Sequence, residues 1–212
     1  MTNLFYETSA NDQSIRQRKL IYGIGVNDSD YVTRIIIRGK SYTCPFYSIW
    51  KAMIKRSYSI KYQEKNPSYK GCSVYQVWLL FSNFKIWMET QDWKGKDLDK
   101  DILVPGNKIY SPDLCVFVTH ALNNLIVTNK LVRGGYPIGV CFIKAKKKFN
   151  ARVKINEKRV HLGYFNTEES ASKAYNIAKH DHVARIANKQ KDERVKKGLL
   201  LHAELYLKGE VT

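Results

Sequence analysis

Apolar positions recur along this chain with two different spacings, and the changes of spacing mark its parts. Thr33–Tyr42 (TRIIIRGKSY) is a β-branched run closed by Arg38-Gly39, which predicts a strand and a turn. From Pro45 the spacing becomes helical: Tyr47, Trp50, Met53 and Ile54 form a stripe, with Lys51, Lys55 and Arg56 off it. Lys61–Gly71 is polar and reads as a loop. Val74–Met88 is apolar and aromatic, and predicts one buried helix with Trp78, Phe81, Phe84 and Trp87 in its core stripe. Leu98–Asn124 reads as a hairpin followed by a helix. After an expected linker near Arg133-Gly134-Gly135 the spacing is two. Pro137–Ile143, Phe149–Ile155 and Arg159–Phe165 predict three strands, with Lys144–Lys148 as a basic turn. A helix should follow from about Thr167 to Asn188. Asn166 or Thr167 can cap it, Glu168 and Glu169 suit the positive end of its dipole, and Ala171, Ala174, Tyr175, Ala178 and Ile186 form its inner face. The tail reads as a short amphipathic helix broken at Gly198. Residues 1–20 are polar, and Arg16, Arg18 and Lys19 suggest a mobile basic arm or an edge element.

Charge narrows the possible partners. The formal net charge is +17 over 212 residues, with 14 Tyr and 4 Trp, and this pairing of cations with aromatics points to nucleic acid. Hydrophobic residues at 44% exclude a disordered chain. Cys44, Cys72, Cys115 and Cys141 form no C-x-x-C pair, so free thiols in a reducing cytoplasm are expected, and their spacing supports no specific zinc site. No signal peptide and no membrane span is expected.

Strand alternation gives the last third its chemistry. In Phe149–Ile155, Ala151, Val153 and Ile155 point one way, and Arg152 and Lys154 the other. In Arg159–Phe165, Val160 and Leu162 point inward, and Arg159 and His161 outward. With a helix on the apolar face, the open face presents Arg152, Lys154, Arg159 and His161, with Lys146, Lys147 and Lys148 at its edge. No acid interrupts the outward positions of these strands. Such a face suits the major groove of double-stranded DNA, where arginine pairs with guanine and lysine holds phosphate.

The stretch GVCFIKAKKKFNARVKINEKRVHLGYFNTEESASKAYNIA resembles the APETALA2/ethylene-response-factor DNA-binding domain. Gly139-Val140, Lys148–Ala151, Leu162–Phe165 and Ala174-Tyr175 carry the likeness over about 60 residues. The resemblance implies that the outer sheet face reads DNA, and it puts Arg152, Lys154, Arg159 and His161 at contacting positions. Cys141 and Ile143 stand where plant members often carry arginine, and His161 where many carry tryptophan, so the target sequence does not transfer.

Gly23–Leu125 resembles the HNH nuclease domain that accompanies this module in phage homing endonucleases. CPFYSIWKAMIKRSYS, YKGCSVYQVWLLFSNFKIWM and LDKDILVPGNKIYSPDLCVFVTHALNN carry that likeness. The third stretch is similar to the ββα-metal core. It implies Asp99 and Asn124 as ligands of Mg²⁺ or Mn²⁺, with Asn123 as a second helix amide and Asp101 as a substitute or assistant for Asp99. Lys100 occupies the usual histidine place. Beside two carboxylates it should hold its proton, which makes it a poor base and a good phosphate clamp. His120 or a metal-bound hydroxide is then the candidate for activating water. Leu114 stands where many HNH sequences carry an asparagine.

The expected fold is α+β: a ββα-metal domain over 1–130, a three-stranded antiparallel sheet packed on one helix over 131–190, and a helical tail over 191–212. Two functions stay open, a monomeric homing-type DNA endonuclease and a DNA-binding protein that keeps a degenerate nuclease scaffold. A weaker third is an interaction protein whose basic surface occupies a nucleic-acid path.

Overall fold

The computed structural model describes residues 5–126 and 135–210, so the expected linker lies largely outside the described residues. Among the described residues the chain is α+β, with seven helices and four small sheets. Packing divides it into two compact units. The first runs to Asp101 and resumes over Gly106–Thr119; the second joins Ile102–Pro105 to the chain from His120 onward.

The first unit opens with α1 (Asp12–Arg16) and a hairpin of β1 (Arg34–Ile37) and β2 (Lys40–Thr43). The segment near Arg18 is not a loose arm. The Arg18 guanidinium donates to the backbone carbonyls of Asn27, Ser29 and Tyr31, so this cation is committed to holding a loop. Helix α2 (Pro45–Tyr58) starts at a proline, whose missing N–H costs nothing at that position, and it buries the expected stripe of Tyr47, Trp50, Met53 and Ile54. Two expectations need correction. The polar stretch after α2 is not a plain loop: Ser59 caps α3 (Ile60–Lys65), and a 3-10 turn follows over Pro67–Tyr69. The aromatic run is not one helix either. It contains β3 (Ser73–Val74), a 3-10 turn over Gln76–Leu79, an extended Leu80, and only then α4 (Phe81–Glu89). The break has a use, because it exposes the Trp78 carbonyl to the indole N–H of buried Trp50 at 2.8 Å. Trp78, Phe81 and Phe84 still reach the core, since a 3-10 turn and a helix both return side chains to one side.

Strand β4 (Asp97–Asp99) pairs antiparallel with β6 (Val116–Val118), and β5 (Ile109–Tyr110) pairs parallel with β3. Cys115 and Phe117 close the core behind them.

The second unit contains α5 (His120–Ile126), β7 (Val140–Ile143), β8 (Lys148–Ile155), β9 (Lys158–Phe165), α6 (Glu168–Ala187) and α7 (Glu193–Lys208). The sheet order is β7-β8-β9, all antiparallel. Thr167 caps α6, and Ala171 packs on Val140 and Ala151. Lys179 on α6 donates to the Leu125 carbonyl at 2.8 Å, satisfying an orphan acceptor at the end of α5; burial lowers the Lys179 pKa. Helix α7 does not break at Gly198. It runs on for 16 residues, with Gly198 buried where the backbone of Ile102 and Leu103 passes close. Among the described residues no helix is long and apolar enough to cross a membrane.

Candidate functional site

The outward face of the three-stranded sheet follows from its register. Arg152 pairs with His161 and Lys154 with Arg159, so these four side chains share one face. All four are exposed. Lys148 lies on the same side of β8, and Lys144–Lys146 form a 3-10 turn that ends at Lys147 in the left-handed conformation. No acid interrupts the outward positions of the strands, but one reaches this face from the turn. Glu157, in the turn between β8 and β9, pairs with Lys154 at 2.5 Å. Both partners are largely exposed, so the pair is weak and leaves Lys154 able to exchange it for a phosphate.

Two members of the face lie outside the expected set, and alternation alone misses the first, Tyr164. A bulge between Ala151 and Arg152 in the ladder leaves Leu162 without a partner, so Gly163 opposes Ala151 and Tyr164 opposes Asn150. Strict alternation separates His161 and Tyr164, which are three apart. The extra residue returns them to one side, and their rings lie 4.8 Å apart. The Lys146 ammonium sits 3.9 Å from the centre of the Tyr164 ring, which therefore meets both a cation and a tilted imidazole.

Asn150 is the second. Its side chain is fully buried on the outward side of β8, beneath the charged residues. Arg152 Nε donates to Asn150 Oδ1 at 2.9 Å, and Asn150 Nδ2 lies 3.1 Å from His161 Nδ1. An amide nitrogen can only donate, so His161 Nδ1 accepts and its proton sits on Nε2. One buried amide thus fixes the fork of Arg152 and the donor character of His161. Spacing from Arg152 was the available signal, since position 150 shares its face.

The carboxylate turn lies in the first unit. Strand β4 ends at Asp99, so alternation does not carry on to Asp101, and the two acids meet through a turn: Asp101 N–H donates to Asp99 Oδ1 at 2.7 Å. Lys100, which strand alternation would send to the opposite face, curls back. It is 5% exposed, and its ammonium donates to Asp101 and, at 2.7 Å, to the Asn107 carbonyl. Asn107 Nδ2 returns a bond to the Lys100 carbonyl at 2.7 Å and a second to that of Ile109 at 2.8 Å. Lys100 therefore balances the charge of Asp101 inside the loop. Behind the turn, burial pushes the Cys115 thiol up to about 12, with Asp99 and Asp101 adding to the effect. Cys72 is raised by burial as well. Both sulfurs are buried, whereas Asp99 and Asp101 are half-buried, and carboxylate oxygens suit a hard cation that keeps several waters. Among the described residues no cluster of three or more His, Cys, Asp or Glu surrounds a metal position.

The remaining expected site residues lie in the second unit. His120 begins α5 and is exposed; on the same helix Asn123 is half-buried and Asn124 exposed. No family model, curated protein or solved structure matches this chain.

Proposed function

We propose that this chain is a DNA-binding endonuclease of the homing type, gripping duplex DNA with its C-terminal sheet and hydrolysing a phosphodiester at the Asp99–Asp101 turn. The observation that carries the binding half is the outward face of β8 and β9, where Arg152, Lys154, Arg159 and His161 project from paired positions. A three-stranded sheet offers a surface that enters the major groove, arginine forms two bonds with guanine O6 and N7, and the Nε2–H of His161 matches a base acceptor. Support for the hydrolytic half is that Asp99 and Asp101 share one turn, with the Asp101 N–H bonded to Asp99 Oδ1, within a stretch that resembles a ββα-metal core. Asp99 and Asp101 would hold Mg²⁺ or Mn²⁺, and such an ion supplies charge stabilisation to the leaving oxygen of a phosphodiester. The chain's own part is to fix that pair: the Asp101 N–H orients Asp99, and Lys100 holds Asp101 in place.

A second reading, DNA binding without hydrolysis, is favoured by Lys100 itself. A buried ammonium bonded to Asp101 and a carbonyl is a structural counter-ion, with little of its charge turned outward.

Plasmid relaxation separates the two. With Mg²⁺ or Mn²⁺ the purified chain is expected to nick supercoiled DNA, and Asp99→Ala to stop nicking while duplex affinity holds. Failure of the wild type to cut a library containing its bound site selects the second reading. Arg152→Ala and Arg159→Ala should each lower specific affinity by about 1–3 kcal/mol. Equal weakening on all sequences would reduce their role to phosphate contacts.

A further inference from the structure

The β1–β2 hairpin turns much of its surface to solvent: Arg34, Ile36, Ile37, Arg38, Lys40 and Ser41 are exposed, while Ile35, Tyr42 and Thr43 are half-buried. Among the described residues it forms a two-stranded sheet of its own. Isolated ribbons are marginal in water, so one that keeps its shape while exposing apolar surface calls for an explanation. Ile36, in the middle of β1, is 72% exposed. Beside it on the same face, Arg34 Nε donates to Ser41 Oγ at 2.6 Å, across the two strands. At the tip stands the two-residue turn Arg38-Gly39, with φ of 51° and 74°. Turns with both φ values positive favour Asn-Gly or Gly-Gly, because a side chain with a long stem is strained there. Here an arginine takes the strained position, which puts a permanent cation at the outermost point of the arm. Lys40 follows on β2. From Tyr31 to Tyr58 the chain has no Asp or Glu, and α2 adds Lys51, Lys55 and Arg56 to the same acid-free stretch.

We infer that this hairpin is a second DNA-binding element: a β-ribbon that enters a groove of the duplex, with Arg34, Arg38 and Lys40 on phosphates and Ile36 against base edges. The inference rests on the DNA-binding reading above. Charge selects the occupant, since the arm has three cations and no acid. Dimensions agree: two strands about 5 Å apart pass into a major groove about 12 Å wide. The apolar side chain between the cations is what a base-edge contact needs, and a purely electrostatic arm would not need it.

Two variants of the full chain test this against a selected site and a mixed-sequence fluorescent duplex, each titrated over a range of salt. Replacing Arg34, Arg38 and Lys40 together by alanine should lower the slope of log affinity on log salt by about 2–3 on both duplexes. Ile36→Ser should weaken binding about tenfold with the slope unchanged. All four positions are exposed, and unaltered thermal melting confirms that the variants fold. Wild-type affinity and slope in both variants would overturn the inference, while the sheet variants Arg152→Ala and Arg159→Ala still report on the reading beneath it. Loss of anionic-vesicle binding or of self-association in the hairpin variants, with duplex binding intact, would also overturn it. If the wild type binds no duplex, both fall.

Discussion

Replacing Gly139 with alanine is expected to destabilise the second unit by about 4 kcal/mol or more. Two independent penalties meet at this residue. Its φ is +72°, a conformation that costs an L side chain about 1–2 kcal/mol. An added Cβ would also stand 2.5 Å from the Arg152 carbonyl and run into the Tyr175 ring of α6. Neither neighbour can move at low cost. The Arg152 N–H is bonded to the Gly139 carbonyl at 2.8 Å, so displacing that backbone breaks the ladder, and Tyr175 is buried between sheet and helix. Circular dichroism during heating, with limited proteolysis to locate the loosened segment, provides the check. A variant that melts like the wild type would mean that Tyr175 does not pack over this glycine.

Gly198→Ala should cost about 3 kcal/mol or more, through crowding alone. Alanine is the better helix former by about 1 kcal/mol, so propensity predicts stabilisation. Space decides the sign. The new methyl would collide with the Ile102 carbonyl and stand 2.9 Å from Leu103 Cα. Ile102 is fully buried, so the Ile102–Pro105 segment has no shallow path away from α7. Denaturant unfolding of Gly198→Ala against Lys197→Ala, one position earlier and exposed, isolates the effect: the neighbour should stay within about 0.5 kcal/mol of wild type.

These two glycines also show where the sequence was legible and where it was not. Gly198 was read as a helix break because glycine is a poor helix former, but here it permits a close crossing by residues almost a hundred positions earlier. No local pattern carries that information. The aromatic run misled in a similar way. Trp78, Phe81 and Phe84 are buried as their spacing promised, yet the backbone between them is a 3-10 turn, an extended Leu80 and a shorter helix. Side-chain periodicity reported burial correctly and could not report the hydrogen bond that Trp50 requires. The C-terminal sheet was the clearest part, because both its strands and their faces follow from period two. Its one irregularity, the unpaired Leu162, moved Tyr164 to the outward face. At the carboxylate turn, the resemblance to a ββα-metal core and residue type point to Asp99 and Asp101. Their relation to Lys100 depends on where β4 stops, and a three-residue strand has too few positions to show its end.

The outward face holds a further resource in Cys141. Its partner across β7 and β8 is Asn150, which places it among the basic residues, and it is exposed while Cys44, Cys72 and Cys115 are buried. A maleimide dye added to the unaltered chain therefore attaches at a single address. Its emission would then report whether the proposed DNA-binding face becomes covered, with no engineered cysteine needed.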